Sequence, residues 1–580
     1  MDNNQKEIST NHIDGYNALP TLDAQSSKLL VAIKEGNLSK VRSCIDGGCD
    51  INKKSFDGKT LLHEAAHWGN EGIVAVLLKH GLDTESRTKE EGNLPIHTAA
   101  GRGHRQIVKM FIEKGVAIDV ANNDGRTPLF EASFWGQCVV VEFLLNRGAN
   151  VDSRTKSEGL LPIHVAAGRG HDRIVKLLLD SGSNPNTSDF NDRTPLFEAA
   201  LSGHDSVVRL LTQAGANLNA REKKEGKLPI HVAAFEGFRS IVRHFLDQGV
   251  DVNVGDDDNR TPLYEASCSG KESVVKLLIN KGANIYTRTR SKGWLAAHAA
   301  AAMGHEAVVE IFLDNSLDMN IENHDGRTPF FEALYNGKES VVDLMVKRGF
   351  KIDTRTKEGW LPIHAAAARG HEKIVKIFID NGIDINAGSS DGRTPLFEAS
   401  YWGQEAVVKY LIGKGADVYK RSRTEGLMAI HAAANRGHTA IVALLLDTGA
   451  DLNAKAEDDK TPLFVAACSG QTDVVKFLLE RGADIKLKTK ESGWNVLHTA
   501  SSQGHTDVLK VLLEAGGNVN ARSLEYKTPL YEAVRCEHLG TCKFLLDHGA
   551  NKHAKTRAGD SIADLAKLKG KSDILNLLSN

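Results

Sequence analysis

Residues 94–104 read LPIHTAAGRGH and residues 127–136 read TPLFEASFWG, and these two strings organise the whole chain. The first returns as LPIHVAAGRGH at 161–171, LPIHVAAFEGF at 228–238 and LPIHAAAARGH at 361–371. The second returns as TPLFEAALSG at 194–203, TPLYEASCSG at 261–270 and TPLFEASYWG at 394–403. The His of the first type falls at 97, 164, 231, 298, 364, 431 and 498. The aromatic of the second falls at 130, 197, 264, 331, 397, 464 and 531. Each series steps by 67 residues, with one step of 66, and the two types alternate. The elementary period is therefore 33 or 34 residues.

Eleven of the thirteen prolines occupy the second position of the motif. Proline there sacrifices no helical hydrogen bond and pre-sets the helical φ, so each marks the start of a first helix. The Thr before it is a natural N-cap. Small residues follow (Ala99, Ala100, Ala166, Ala167), letting neighbouring helices approach closely, and a Gly such as Gly103, Gly136 or Gly170 ends the helix. The next segment, as in HDRIVKLLLDSG, has apolar residues at helical spacing and reads as a second, amphipathic helix. A turn-rich stretch then leads to the next copy as a projecting hairpin.

The pattern resembles the ankyrin repeat, whose signature T-P-L-H-x-A recurs at 33 residues. Fifteen copies in register, from Thr60 to Thr528, carry the resemblance, with a degenerate copy before them (KLLVAIKEGN, 28–37) and another after (DSIADLAKLKGKSD, 560–573). It implies an all-α solenoid of about sixteen or seventeen helix–turn–helix repeats with β-hairpin fingers. At roughly 10 Å per layer the array would be a curved rod on the order of 160 Å long. Residues 1–25 lack the pattern and read as a flexible polar tail. Residues 26–580 form the array, with a degenerate first repeat at about 26–55 and a capping repeat at about 556–580.

The chain has 580 residues with 72 Lys and Arg against 74 Asp and Glu, so it is not an overall basic nucleic-acid binder. No run of 18 apolar residues occurs, so no helical membrane span is expected. The polar, acidic N-terminus does not read as a secretory signal, and its acidic residues argue against a mitochondrial presequence. Seven scattered cysteines make no disulfide framework and suit a reducing cytosol.

The motif histidines, from His63 through His498, mostly lie two repeats apart, or about 20 Å, too far to share a metal. The resemblance gives them a structural role, bonding backbone between adjacent hairpins. A second set (His104, His171, His204, His305, His371, His438, His505) begins the second helices and is likewise structural. Cys44 with Cys49, and Cys536 with Cys542, are the only close cysteine pairs and lack zinc-site spacing. No Walker motif, G-x-G-x-x-G after a strand, G-x-S-x-G or H-E-x-x-H occurs. The expectation is a non-enzyme without cofactor, metal or small-molecule substrate.

Comparing the copies with one another locates the variable positions. One is the residue before the motif, on the hairpin; the other is the pair before the Gly that ends the first helix. In the ankyrin family both line the concave groove, and the resemblance implies the same here. All six tryptophans fall in these places: Trp68, Trp135 and Trp402 before the Gly, and Trp294, Trp360 and Trp494 on the hairpin. Arg102, Arg169, Arg369 and Arg436 share the first slot, and Phe134, Phe235, Tyr335 and Tyr401 add aromatic area beside it. Trp and Arg are the types enriched at interface hot spots. Because this slot also holds Ser, Glu, Met, Asn and Gln, it is expected to be exposed. Trp135→Ala is then expected to cost little stability, within about 0.5 kcal/mol. The alternative for the tryptophans is local stacking on the next hairpin.

Two charged ladders run along the array. Arg126, Arg193, Arg260, Arg327, Arg393, Lys460 and Lys527 each precede, by five residues, Glu131, Glu198, Glu265, Glu332, Glu398, Val465 and Glu532. They read as exposed ion pairs of little energy. Arg87, Arg154, Arg221, Arg288, Arg355, Arg421 and Lys488 read as a solvated loop edge, with attraction of an acidic partner as the alternative. Together these observations point to a monomeric cytoplasmic scaffold or adaptor holding a protein partner in its groove. An effector of an intracellular microbe acting on host proteins is a variant of that reading. A structural or elastic spacer is the reading of another class, and it would not need Trp at groove positions.

Overall fold

A computed structural model describes residues 24–356 and 359–579. The described residues form 34 α-helices in consecutive pairs. The chain divides into two compact units, residues 1–299 and 300–580. The expected tail lies outside the described residues up to residue 23, and the first helix, Ala24–Lys34, already includes Ala24 and Gln25.

Within the first unit the repeat is seen in Pro162–Gly168 followed by Asp172–Asp180. The first helix buries Ile163, Ala166 and Ala167, and the second buries Ile174, Val175 and Leu178, all without solvent exposure. Alanines let first helices of successive repeats pack face to face, while the larger aliphatic residues fill the seam between helix pairs. The second unit repeats this with Pro395–Trp402 and Glu405–Gly413, burying Leu396, Ala399, Val407, Val408 and Leu411. The terminal pairs are Ala24–Lys34 with Leu38–Asp46, and Ile562–Leu568 with Ser572–Ser579.

The two repeat types start their first helices differently. In the Thr-Pro type the Thr hydroxyl accepts from the amide three residues on, as Thr127 does from Phe130 at 3.2 Å and Thr394 from Phe397 at 3.2 Å. In the Leu-Pro type the N-cap residue is Leu94, Leu161, Leu228 or Leu361, whose side chain cannot accept; there the motif His receives the N-cap amide instead.

The fingers differ from the expected β-hairpins. Among the described residues they close through turns, and only an isolated bridge between Lys555 and Ser561 has strand pairing. Each turn is too short to build a ladder. Asn122 N–H bonds Arg126 O at 2.9 Å to close one finger, and Asn123 N–H bonds Glu91 O at 3.0 Å to link it to the finger before.

Candidate functional site

The motif histidines are rivets between repeats. The Leu228 amide donates to His231 Nδ1 at 3.1 Å, which puts the ring proton on Nε2. Nε2–H then reaches the carbonyls of Val254 (3.1 Å) and Arg260 (3.0 Å) in the next repeat. His97 does the same with Leu94, Val120 and Arg126, and in the second unit His364 does so with Leu361, Ala387 and Arg393. The second set caps the preceding repeat: His171 Nε2–H donates to Phe134 O at 3.3 Å, and His438 to Tyr401 O at 3.1 Å. The His171 ring lies 2.7 Å from where a Cβ on Gly136 would stand, and Gly136 has φ of 77°. Glycine is therefore required there both by backbone conformation and by the ring above it. No group of three metal-ligating side chains occurs among the described residues.

Burial holds His97, His164, His231, His431 and His498 well below the usual imidazole value, at about 4. An unfolded His titrates near 6.5. Between those values the unfolded chain takes up the proton first, so each such ring withdraws stability as pH falls from 6.5 towards 4, up to about 3 kcal/mol. Burial pushes Glu131, Glu198 and Glu398 the other way, up to about 7. There the folded chain takes up the proton first, and stability is gained as pH falls from 7 towards 4.5. The urea midpoint is expected to fall between pH 6.5 and 4.5, and to fall more steeply in Glu131→Gln/Glu198→Gln, where two of the offsetting carboxyls are gone. Parallel pH profiles would refute the opposition.

These glutamates are not the exposed ion-pair partners expected from the sequence. Glu265, Glu332, Glu398 and Glu532 are buried on the first helices. The Arg126–Glu131, Arg193–Glu198 and Arg327–Glu332 separations are long, at 4.0, 3.8 and 3.8 Å, and Glu265 meets Lys227 of the preceding repeat at 3.4 Å. The cation also lies over the aromatic four residues on: Arg126 over Phe130 at 5.5 Å, Arg193 over Phe197 at 5.5 Å, Arg393 over Phe397 at 5.3 Å.

The other basic ladder is a set of staples, neither a free anion site nor a merely solvated edge. Arg221 donates to Gly226 O (2.8 Å) in its own finger and to Gly255 O (2.9 Å) in the next. Arg87 spans Gly92 O and Ala121 O, and Arg355 spans Gly359 O and Gly388 O. Arg221→Ala is expected to cost about 1 kcal/mol in urea unfolding, and Arg221→Lys to restore less than half, because a single ammonium lacks the guanidinium fork. An unchanged midpoint would mean that the staple carries no energy.

What remains on the first-helix face is the variable slot. Trp68, Trp135 and Trp402 are 48, 52 and 50 % exposed. Arg102, Arg169, Arg369 and Arg436 are exposed beside them. Phe134 and Trp135 meet edge to face at 5.1 Å, and Arg169 from the next repeat lies over Phe134 at 4.0 Å. In the second unit Tyr401 and Trp402 meet at 5.3 Å, with Arg436 over Tyr401 at 5.1 Å and Arg369 over Tyr335 at 4.1 Å. The covered half of Trp135 rests on Gly101, where an added Cβ would stand 2.9 Å from the ring. The indole also faces Glu131 and draws its carboxyl down against the effect of burial. Phe235 is 39 % exposed on the same face.

The hairpin tryptophans are placed differently. Trp294, Trp360 and Trp494 are half-buried and lie against the motif histidines four residues on, His298, His364 and His498, at 6.2, 6.1 and 6.2 Å. They lie against the rivet histidines.

Paired short helices at a fixed period, stacked through first-helix alanines and riveted by histidines, define a helical repeat protein. The chain belongs to the ankyrin-repeat family: the family described as ankyrin repeats (three copies) matches in overlapping segments from 15–88 and 81–155 to 484–556. Such arrays are protein-interaction modules. Ankyrin repeat and SOCS box protein 3 of Bos taurus is 40% identical over 171 residues, covering 29% of this chain and 33% of that protein. Ankyrin repeat and KH domain-containing protein mask-1 of Caenorhabditis elegans is 27% identical over 280 residues, 48% of this chain and 10% of that protein. The human transient receptor potential cation channel subfamily A member 1 is 25% identical over 312 residues, 51% of this chain and 27% of the channel. The matches thus span a third or less of these relatives. No helix among the described residues is long and apolar enough to cross a membrane.

Proposed function

We propose that the chain is a non-enzymatic scaffold that holds a protein partner along the groove face of its first helices. The observation that carries this reading is the Arg–Trp–Arg arrangement, Arg102–Trp135–Arg169 in the first unit and Arg369–Trp402–Arg436 in the second. Half-exposed indoles held by packing from below and flanked by guanidiniums are what interface anchors look like before a partner arrives. Trp68, Phe134 and Tyr401 extend the two patches, and Trp294, Trp360 and Trp494 line the finger side. A spacer would gain nothing from large half-exposed aromatics at this slot. The partner is a protein met in the cytoplasm; action on host proteins by a microbial effector is the same chemistry in another setting.

The test is affinity capture from lysate with the full chain and with Trp135→Ala/Trp402→Ala. Proteins retained by the wild type and lost from the double variant support the reading. An unchanged set of retained proteins contradicts it.

A further inference from the structure

Within the proposed groove, the charge of the slot says what kind of segment fits it. Among the described residues Arg102, Arg169, Arg369 and Arg436 form no ion pair, whereas the two finger ladders are engaged by carbonyls, rings or carboxylates. Arg169, Arg369 and Arg436 are held over rings of the preceding repeat. Those three positions are set before any ligand binds, so little side-chain freedom remains to be lost there. Glu131 and Glu398 are under the indoles of Trp135 and Trp402, and Glu236 lies two repeats beyond Arg169. Glu198 lies against Gly168, next to Arg169, and is paired with Arg193 at 3.8 Å. Burial holds part of the charge of Glu131, Glu198 and Glu398 back near neutral pH.

Successive first helices pack roughly 8–10 Å apart. An extended chain advances about 3.3 Å per residue. One repeat therefore matches three residues of an extended segment laid across the face. We infer that each Arg–Trp–Arg triad receives an extended segment of a protein partner carrying Asp or Glu at two positions six residues apart, with a proline or other apolar residue midway between them. The carboxylates meet the two guanidiniums and the central residue lies on the indole. This rests on the groove reading above and adds the partner's chemistry and register.

The experiment selects random 12-residue displayed peptides on the immobilised full chain at low salt. Enriched sequences are expected to be acidic, with Asp or Glu spaced by six around an apolar residue. An enriched peptide made synthetically is expected to lose at least tenfold in affinity when either acid is changed to its amide, when one acid is moved by one residue, or when the protein carries Arg102→Gln, Arg169→Gln, Arg369→Gln and Arg436→Gln together. Its affinity should also fall with added salt. Neutral or basic enriched sequences, no enrichment, or an affinity indifferent to the acids and to the four arginines would overturn the inference. Binding lost in Trp135→Ala/Trp402→Ala but kept in the arginine variant would leave the groove reading standing and remove this one. Binding kept in the tryptophan variant would remove the groove reading itself.

Discussion

Replacing His231 by Ala is expected to destabilise the first unit by about 3 kcal/mol, several times the cost of removing His204 from the same unit. His231 is fully buried and engages three backbone groups: the Leu228 amide and the Val254 and Arg260 carbonyls. Alanine leaves the Leu228 amide and the Val254 carbonyl without a partner, at about 1–3 kcal/mol for each group left unsatisfied, and adds a cavity, while the Arg260 carbonyl keeps its bond from the Asp256 amide at 3.0 Å. His204 is half-buried and donates to one carbonyl, Gly168 O at 3.1 Å, so its loss should cost about 1 kcal/mol. Because each repeat contacts only its neighbours, the damage should concentrate between residues 228 and 262, where amide exchange would accelerate most. Equal, small effects of the two substitutions would mean that the rivet is ornamental.

The largest effect on binding is expected from Trp135→Ala/Trp402→Ala. Each indole presents about half its surface to solvent, and that half is the area available to a partner. A central aromatic anchor is worth about 2 kcal/mol or more, so the dissociation constant of a captured partner should rise at least thirtyfold. The ring's other half lies on Gly101 in the first unit, so the stability cost exceeds that of a plain surface site and should be about 1 kcal/mol at Trp135. A double variant that unfolds but binds normally whenever folded would assign the indoles to packing alone.

Much of this was legible in the sequence. The period, the prolines and the glycines are local signals repeated so often that tertiary context could not override them. The spacing of the histidines spoke against a shared metal, the resemblance to ankyrin repeats implied their structural role, and the exposure of Trp68, Trp135 and Trp402 followed from the tolerance of their slot. Other features were hidden because their partners are backbone atoms or lie one repeat away. Nothing in the sequence around Arg221 shows the Gly255 carbonyl it reaches, so the ladder looked like a loop edge. The five-residue interval from Arg126 to Glu131 suggested an ion pair, which forms only at 4.0 Å and on a buried carboxylate, while the four-residue interval to Phe130, equally visible, marked the ring that the same guanidinium covers. The same interval separates Trp294 from His298, and it was the available sign that the hairpin tryptophans lie against the rivet histidines.

The most direct measurement is hydroxyl-radical footprinting of the full chain alone and with a protein it captures. Oxidation of Trp135 and Trp402 should slow several-fold in the complex, while Val139, exposed on the second helix Cys138–Asn146, should react at an unchanged rate. Protection of Val139 and its counterparts with Trp135 and Trp402 left fully reactive would put the partner on the other face of the repeats and contradict the assignment.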